Sequence, residues 1–139
     1  MDHPTRLPDW RRRFDLWLAG VSRTPPSDCV LLVGLLVDAL RGTTHVADWQ
    51  DRYDGIEDGR ALLRAEGYAD HIALVDAHLI RVPVEAARAG DLVQLTEGED
   101  AALGAVIGAR DLTLHLTGDA DARGVGMSPT ANAIAAWVV

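Results

Sequence analysis

The chain has 139 residues, 21 Asp and Glu against 13 Lys and Arg, a net charge of −8 and 48% hydrophobic residues. This balance fits one folded domain spanning 1–139, not a disordered chain, and it excludes a surface built to hold a phosphate backbone or an anionic bilayer, both of which need clustered cations. A single cysteine forms no internal disulfide, and neither a signal-peptide core nor a run of ~20 apolar residues is present; the expectation is a soluble protein with no nucleic-acid partner and no membrane insertion.

In chain order, the first half reads as helical, over about 5–80. Trp10, Phe14, Trp17 and Leu18 follow the spacing of one helix face, with Arg11, Arg12, Arg13 and Asp15 off it. Pro25-Pro26 breaks that helix, because proline lacks the amide and disfavours helical geometry in the residue before it. Ser27 or Asp28 then caps a second helix that runs from Cys29 to about Arg41, with Gly42 suited to the left-handed closing position. Between Cys29 and Leu40 only Asp38 is charged, which predicts a helix at the centre of the core. "IEDGRALLRAEG" fits a third helix and "DHIALVDAHL" a short fourth.

The pattern changes near residues 82–91. From about 90 to 139, "DLVQLT", "ALGAVIGA", "LTLHLT" and "GVGMS" are short runs separated by turn-rich segments, as in an antiparallel meander or small barrel. "PTANAIAAWVV" is ambiguous between a short helix and a closing strand. The predicted fold class is α+β, with the buried central helix packed on a strand-rich C-terminal half.

Cys29 is the first candidate for chemistry. At a helix N-terminus the dipole and free amides favour a thiolate and could hold an oxyanion, whereas the plain reading is a small buried apolar residue. A working nucleophile needs a base, most often histidine. His3 lies near the terminus, and His45 lies beyond the far end of the cysteine helix. His71 and His78 are two turns apart on one helix, without a ligand set of recognisable metal spacing, and read as ordinary partly exposed side chains. No metal or cofactor is expected. His115 shares a strand face with Thr113 and Thr117, opposite Leu112, Leu114 and Leu116, and by itself reads as part of a solvated face.

In this order, "SDC" opening an apolar helix, "AGDLVQL", "ALGAVIG" and "LTLHL" resemble the NlpC-type cell-wall cysteine peptidases, which have a small papain-like fold. With "DRYDGIEDGRALLRAEGY", "GVGM" and "AAWVV" added, the chain resembles more closely a group of phage and prophage tail-module proteins related to those peptidases. The resemblance runs from about Trp10 to the end of the sequence and puts Cys29 at the nucleophile position. It puts Ala102 where the catalytic histidine would stand, and His115 about where a third polar residue orients that base. Cys29 and His115 are therefore vestigial candidates, and losing a general base removes ~10²–10⁴ in rate.

The resemblance implies a structural component of a phage-type tail tip, built on a degenerate cysteine-peptidase fold and binding neighbouring tail proteins. Its expected location is the virion tail, and the host cytoplasm before assembly. Trp10, Trp17, Trp49 and Trp137 suit interface anchoring or core packing, the latter favoured for Trp10 and Trp17. The alternative is a cysteine peptidase or amidase that cleaves peptidoglycan stem peptides during infection, with His115, or a histidine of an adjoining chain, as base.

Overall fold

The computed structural model describes residues 5–108, 111–119 and 122–139, so the expectation for His3 lies outside the described residues. Among the described residues four helices precede a six-stranded antiparallel sheet: α1 (Trp10–Arg23), α2 (Cys29–Arg41), α3 (Gly55–Ala65) and α4 (His71–His78), then β1 (Ile80–Val82), β2 (Leu92–Gln94), β3 (Leu103–Ile107), β4 (Leu112–Thr117), β5 (Gly124–Pro129) and β6 (Ala135–Val138). Short 3-10 turns at Val46–Asp48, Val84–Ala86 and Thr130–Asn132 join them.

The sheet order is β1-β6-β2-β3-β4-β5. Strands β2 to β5 form the expected meander, and β6 returns to pair with β2 through Leu92↔Trp137 and Val93↔Ala136. The ambiguous C-terminal segment thus resolves into a 3-10 turn followed by a strand. β1 and β5 are free edges, so among the described residues the sheet is open and the barrel option is corrected. β1 itself was hidden in a stretch read as helical: only three residues long, it takes its register from β6 and has too few positions to show a period.

The helices start and stop where the chain chemistry dictates. α1 ends before Pro25-Pro26, and Asp28 caps α2 by accepting the Leu31 amide at 2.8 Å. Gly42, at φ 72°, closes α2 in the left-handed conformation. Asp38, the lone charge of that helix, has its carboxylate occupied: it accepts the Thr43 hydroxyl at 2.6 Å and the His45 and Val46 amides at 2.8 and 2.9 Å. A carboxylate so satisfied holds the next turn without being stranded in the core.

Leu32, Val33, Leu36, Val37 and Leu40 of α2 are buried against Phe14, Trp17 and Val21 of α1 and Leu92, Leu103, Ala105 and Leu114 of the sheet. The helix is not covered all round: Leu35 is exposed, and Val30, Leu31 and Gly34 line a cavity of about 80 Å³ shared with Trp49, His45 and Leu74. On the far face of the sheet Ala87, Val93, Val106 and Ala136 make a second small core. Thr113 is fully buried there, its hydroxyl 3.0 Å from that of Thr130, so this face is not simply solvated at Thr113. Of the tryptophans, Trp17 and Trp137 are core residues and Trp10 and Trp49 are half-buried. Trp137 is therefore no surface anchor; its indole N–H donates to Asp76 at 2.8 Å.

Candidate functional site

The region around Cys29 is assembled from two helix N-termini and the entry to β3. Cys29 is the first residue of α2, behind the capping Asp28, and His71 is the first residue of α4, behind Asp70, which caps that helix by accepting the Ala73 amide at 2.8 Å. Both side chains reach the same atom. The His71 Nε2 lies 2.6 Å from the Ala101 carbonyl oxygen, and the Cys29 Sγ lies 4.0 Å from it. Because a carbonyl only accepts, His71 donates Nε2–H and Cys29 faces the oxygen as a thiol.

The sulfur thus meets the chain at the start of β3, with Ala101 on one side and a backbone hydrogen bond from Leu103 on the other. Ala102 lies in sequence between these two backbone contacts, at the position where the resemblance implies a histidine. Burial raises the Cys29 pKa above its ordinary value and the charge of Asp28 adds to that, while the Leu103 hydrogen bond and the more distant Arg123 pull it down. Burial outweighs the helix terminus here, which reverses the direction expected of an exposed N-terminal thiol.

The surrounding polar groups brace this corner. Tyr53 donates its hydroxyl to Asp28 Oδ2, and its pKa is raised by burial first and by that hydrogen bond second. Gly59 of α3 makes room for the Tyr53 ring; an added Cβ would stand 3.1 Å from it. Arg60 of α3 ties Glu57 to Asp100 in the loop before β3, and Arg123 donates to the Ser27 carbonyl at 3.1 Å and the Gly118 carbonyl at 2.7 Å. The bonds to Asp28, Asp100 and Ser27 hold residues that adjoin Cys29 and Ala101 in sequence.

His115 does not join this site. Leu114 and Leu116 pack with the helix-side core that also includes Cys29, so strand alternation sends His115 to the opposite face. There its Nδ1 lies 3.0 Å from the Leu116 carbonyl and its Nε2 lies 2.8 Å from Ser128 Oγ. The carbonyl fixes the proton on Nδ1, so Nε2 receives the serine hydroxyl. His45 and His78 pair with each other instead, their ring centroids 4.9 Å apart. His71, read from the sequence as an ordinary side chain, is the histidine brought to the corner of Cys29. The sequence signal for it was the repeated pairing of a capping aspartate with a first-turn residue, Asp28-Cys29 and Asp70-His71.

The Gly-Asp motif has a structural role. Gly90, at φ 91°, lets the turn pass so close to Leu40 and Arg6 that an added Cβ would stand 2.9 Å from the leucine. Asp91, 1% exposed, receives Arg6 at 2.9 Å and the Val139 amide at 3.0 Å on Oδ1, and the Arg88 amide at 2.9 Å on Oδ2. Arg6 also donates to the Val139 and Ala89 carbonyls, both at 2.8 Å. One carboxylate thus joins the start of the described chain, the β2 entry and the end of β6.

The family model for a domain of unknown function, DUF6950, matches residues 5–139, and the chain belongs to that family. No curated protein and no solved structure matches it.

Proposed function

We propose that this member of the DUF6950 family is a structural component of a phage-type tail tip, a degenerate relative of the NlpC-type cysteine peptidases that binds neighbouring tail proteins. The observation that carries the non-catalytic part is the environment of the sulfur. Cys29 is held as a thiol against the backbone at Ala101 and Leu103, with its pKa raised by burial. His71 points its Nε2–H at a carbonyl and His115 lies on the other face of the sheet. A peptidase needs an imidazole lone pair aimed at the thiol and then an N–H for the leaving amine. Neither histidine is so arranged. The tail assignment itself rests on the ordered motif resemblance.

The experiment is co-expression with phage tail-tip proteins from the same source as this chain. A stable complex that persists with Cys29→Ala and His71→Gln, together with unchanged particle infectivity for both variants, is the expected result. The alternative, a cysteine peptidase or amidase acting on peptidoglycan stem peptides, is favoured by one observation: His71 shares the Ala101 carbonyl with the sulfur. Release of that carbonyl would free the ring to turn. Peptidoglycan cleavage by the parent chain that is lost in Cys29→Ala, with the complex intact, would establish that reading and remove the claim that the cysteine site is degenerate.

A further inference from the structure

β5 is a free edge of the sheet, and the phase of its ladder can be read. Thr130 N–H donates to the Asp111 carbonyl at 3.0 Å, in line with the β4–β5 register Thr113↔Ser128 and His115↔Gly126. Antiparallel ladder bonds recur at every second residue. Gly124, Gly126 and Ser128 therefore bond to β4, while Val125 and Met127 turn their N–H and C=O groups outward. Pro129 also falls in the outward set and contributes only a carbonyl, a position where proline is tolerated on an edge.

Edge strands are normally protected by charge, by a covering segment or by extreme shortness. β5 has six residues, Gly124–Pro129, and no charged side chain. Met127 lies on the face of its register partner Leu114, a core residue, yet is 58% exposed. Val125, on the same face, packs only partly against the core.

We propose that β5 pairs antiparallel with β5 of a second copy of this chain, about a two-fold axis at Gly126. In that register Val125 faces Met127 of the other copy, and Met127 faces its Val125. The four outward N–H groups of the two strands then meet four outward C=O groups. The same pairing lays each Met127 side chain against a Val125 and covers the exposed methionine. For a chain of net charge −8, an edge strand with no charged side chain adds no like-charge contact along the seam when a second copy approaches. The six-stranded sheet becomes a continuous twelve-stranded one across the dimer. This inference does not depend on the tail assignment, and its test uses the chain alone.

The test is light scattering coupled to size exclusion over a concentration series, with amide hydrogen exchange on the same samples. The expected result is a concentration-dependent dimer in which the Val125 and Met127 amides are protected. Met127→Lys and Val125→Pro, each at an outward position that leaves the β4 ladder bonds intact, are expected to weaken self-association by about tenfold or more. Their circular dichroism should match that of the parent chain. A chain that stays monomeric across the series would overturn the proposal. So would a dimer that both variants leave unchanged, or one in which those two amides exchange freely.

Discussion

Two regions singled out in the sequence, the Gly90-Asp91 turn and the Asp28-Cys29 helix start, differ in how their side chains are used. At the β2 entry, Asp91 has each oxygen engaged by donors from separate segments and holds Arg6, Arg88 and Val139 together. At the first turn of α2, Cys29 has one long contact to Ala101 and a backbone bond from Leu103. The first arrangement has every group satisfied and would not tolerate change. The second places a thiol beside a histidine whose Nε2–H is directed at the Ala101 carbonyl and not at the sulfur. The contrast between a fully engaged carboxylate and a sparsely contacted thiol can be tested by substitution.

The largest effect is expected from Asp91→Ala. It strands the buried Arg6 guanidinium and two backbone amides, and removing one partner of a buried ion pair costs about 3–5 kcal/mol. Urea unfolding should show the midpoint falling accordingly; a change below about 1 kcal/mol would remove the clamp from the description. Gly90→Ala comes next, at about 1–3 kcal/mol, because it combines the left-handed backbone with a close approach to Leu40. Its effect should be visible in the same titration.

Tyr53→Phe should cost about 1 kcal/mol by removing one hydrogen bond to the α2 cap. It also carries a pH signature. Tyr53 and Cys29 both have pKa values raised above their ordinary 10.0 and 9.0. A group whose folded pKa is raised stabilises fully below its unfolded pKa and loses that contribution as pH climbs through the folded value. Stability should therefore hold up to about pH 9 and decline above it, and the decline should be shallower in a Tyr53→Phe, Cys29→Ala double variant. Cys29→Ala alone should be the mildest, at about 1 kcal/mol or less at neutral pH, as befits a small half-buried side chain. Thermal melts of the four variants should rank them in this order.

Much of the fold could be read from the residues. The Pro25-Pro26 break, the Asp28 cap, Gly42 and the alternation of "LTLHLT" each encode local geometry, and each marks an element boundary or a strand face. What could not be read was long-range. β1 exists because β6 pairs with it, and the burial of Thr113 depends on the turn at Thr130 folding over the far face. The same holds for the candidate site. Cys29 was visible as a first-turn thiol, but the burial that raises its pKa, beside an Ala101 carbonyl 72 residues away, is a product of tertiary packing. His71 was visible only as a residue after a capping aspartate; that it meets Ala101 is a property of how α4 docks. His115 had the right strand and the opposite face, and its partner Ser128 lies on the neighbouring strand.

The most direct test of the proposal that Cys29 is not a working nucleophile is the pH dependence of its alkylation by iodoacetamide in the folded protein, with the His71→Gln variant alongside. The predicted rate is slow near neutrality, rises only above the ordinary thiol pKa of 9.0, and is the same in both proteins. A fast reaction with an inflection below pH ~7, abolished by His71→Gln, would show a working thiolate–imidazole pair and contradict it.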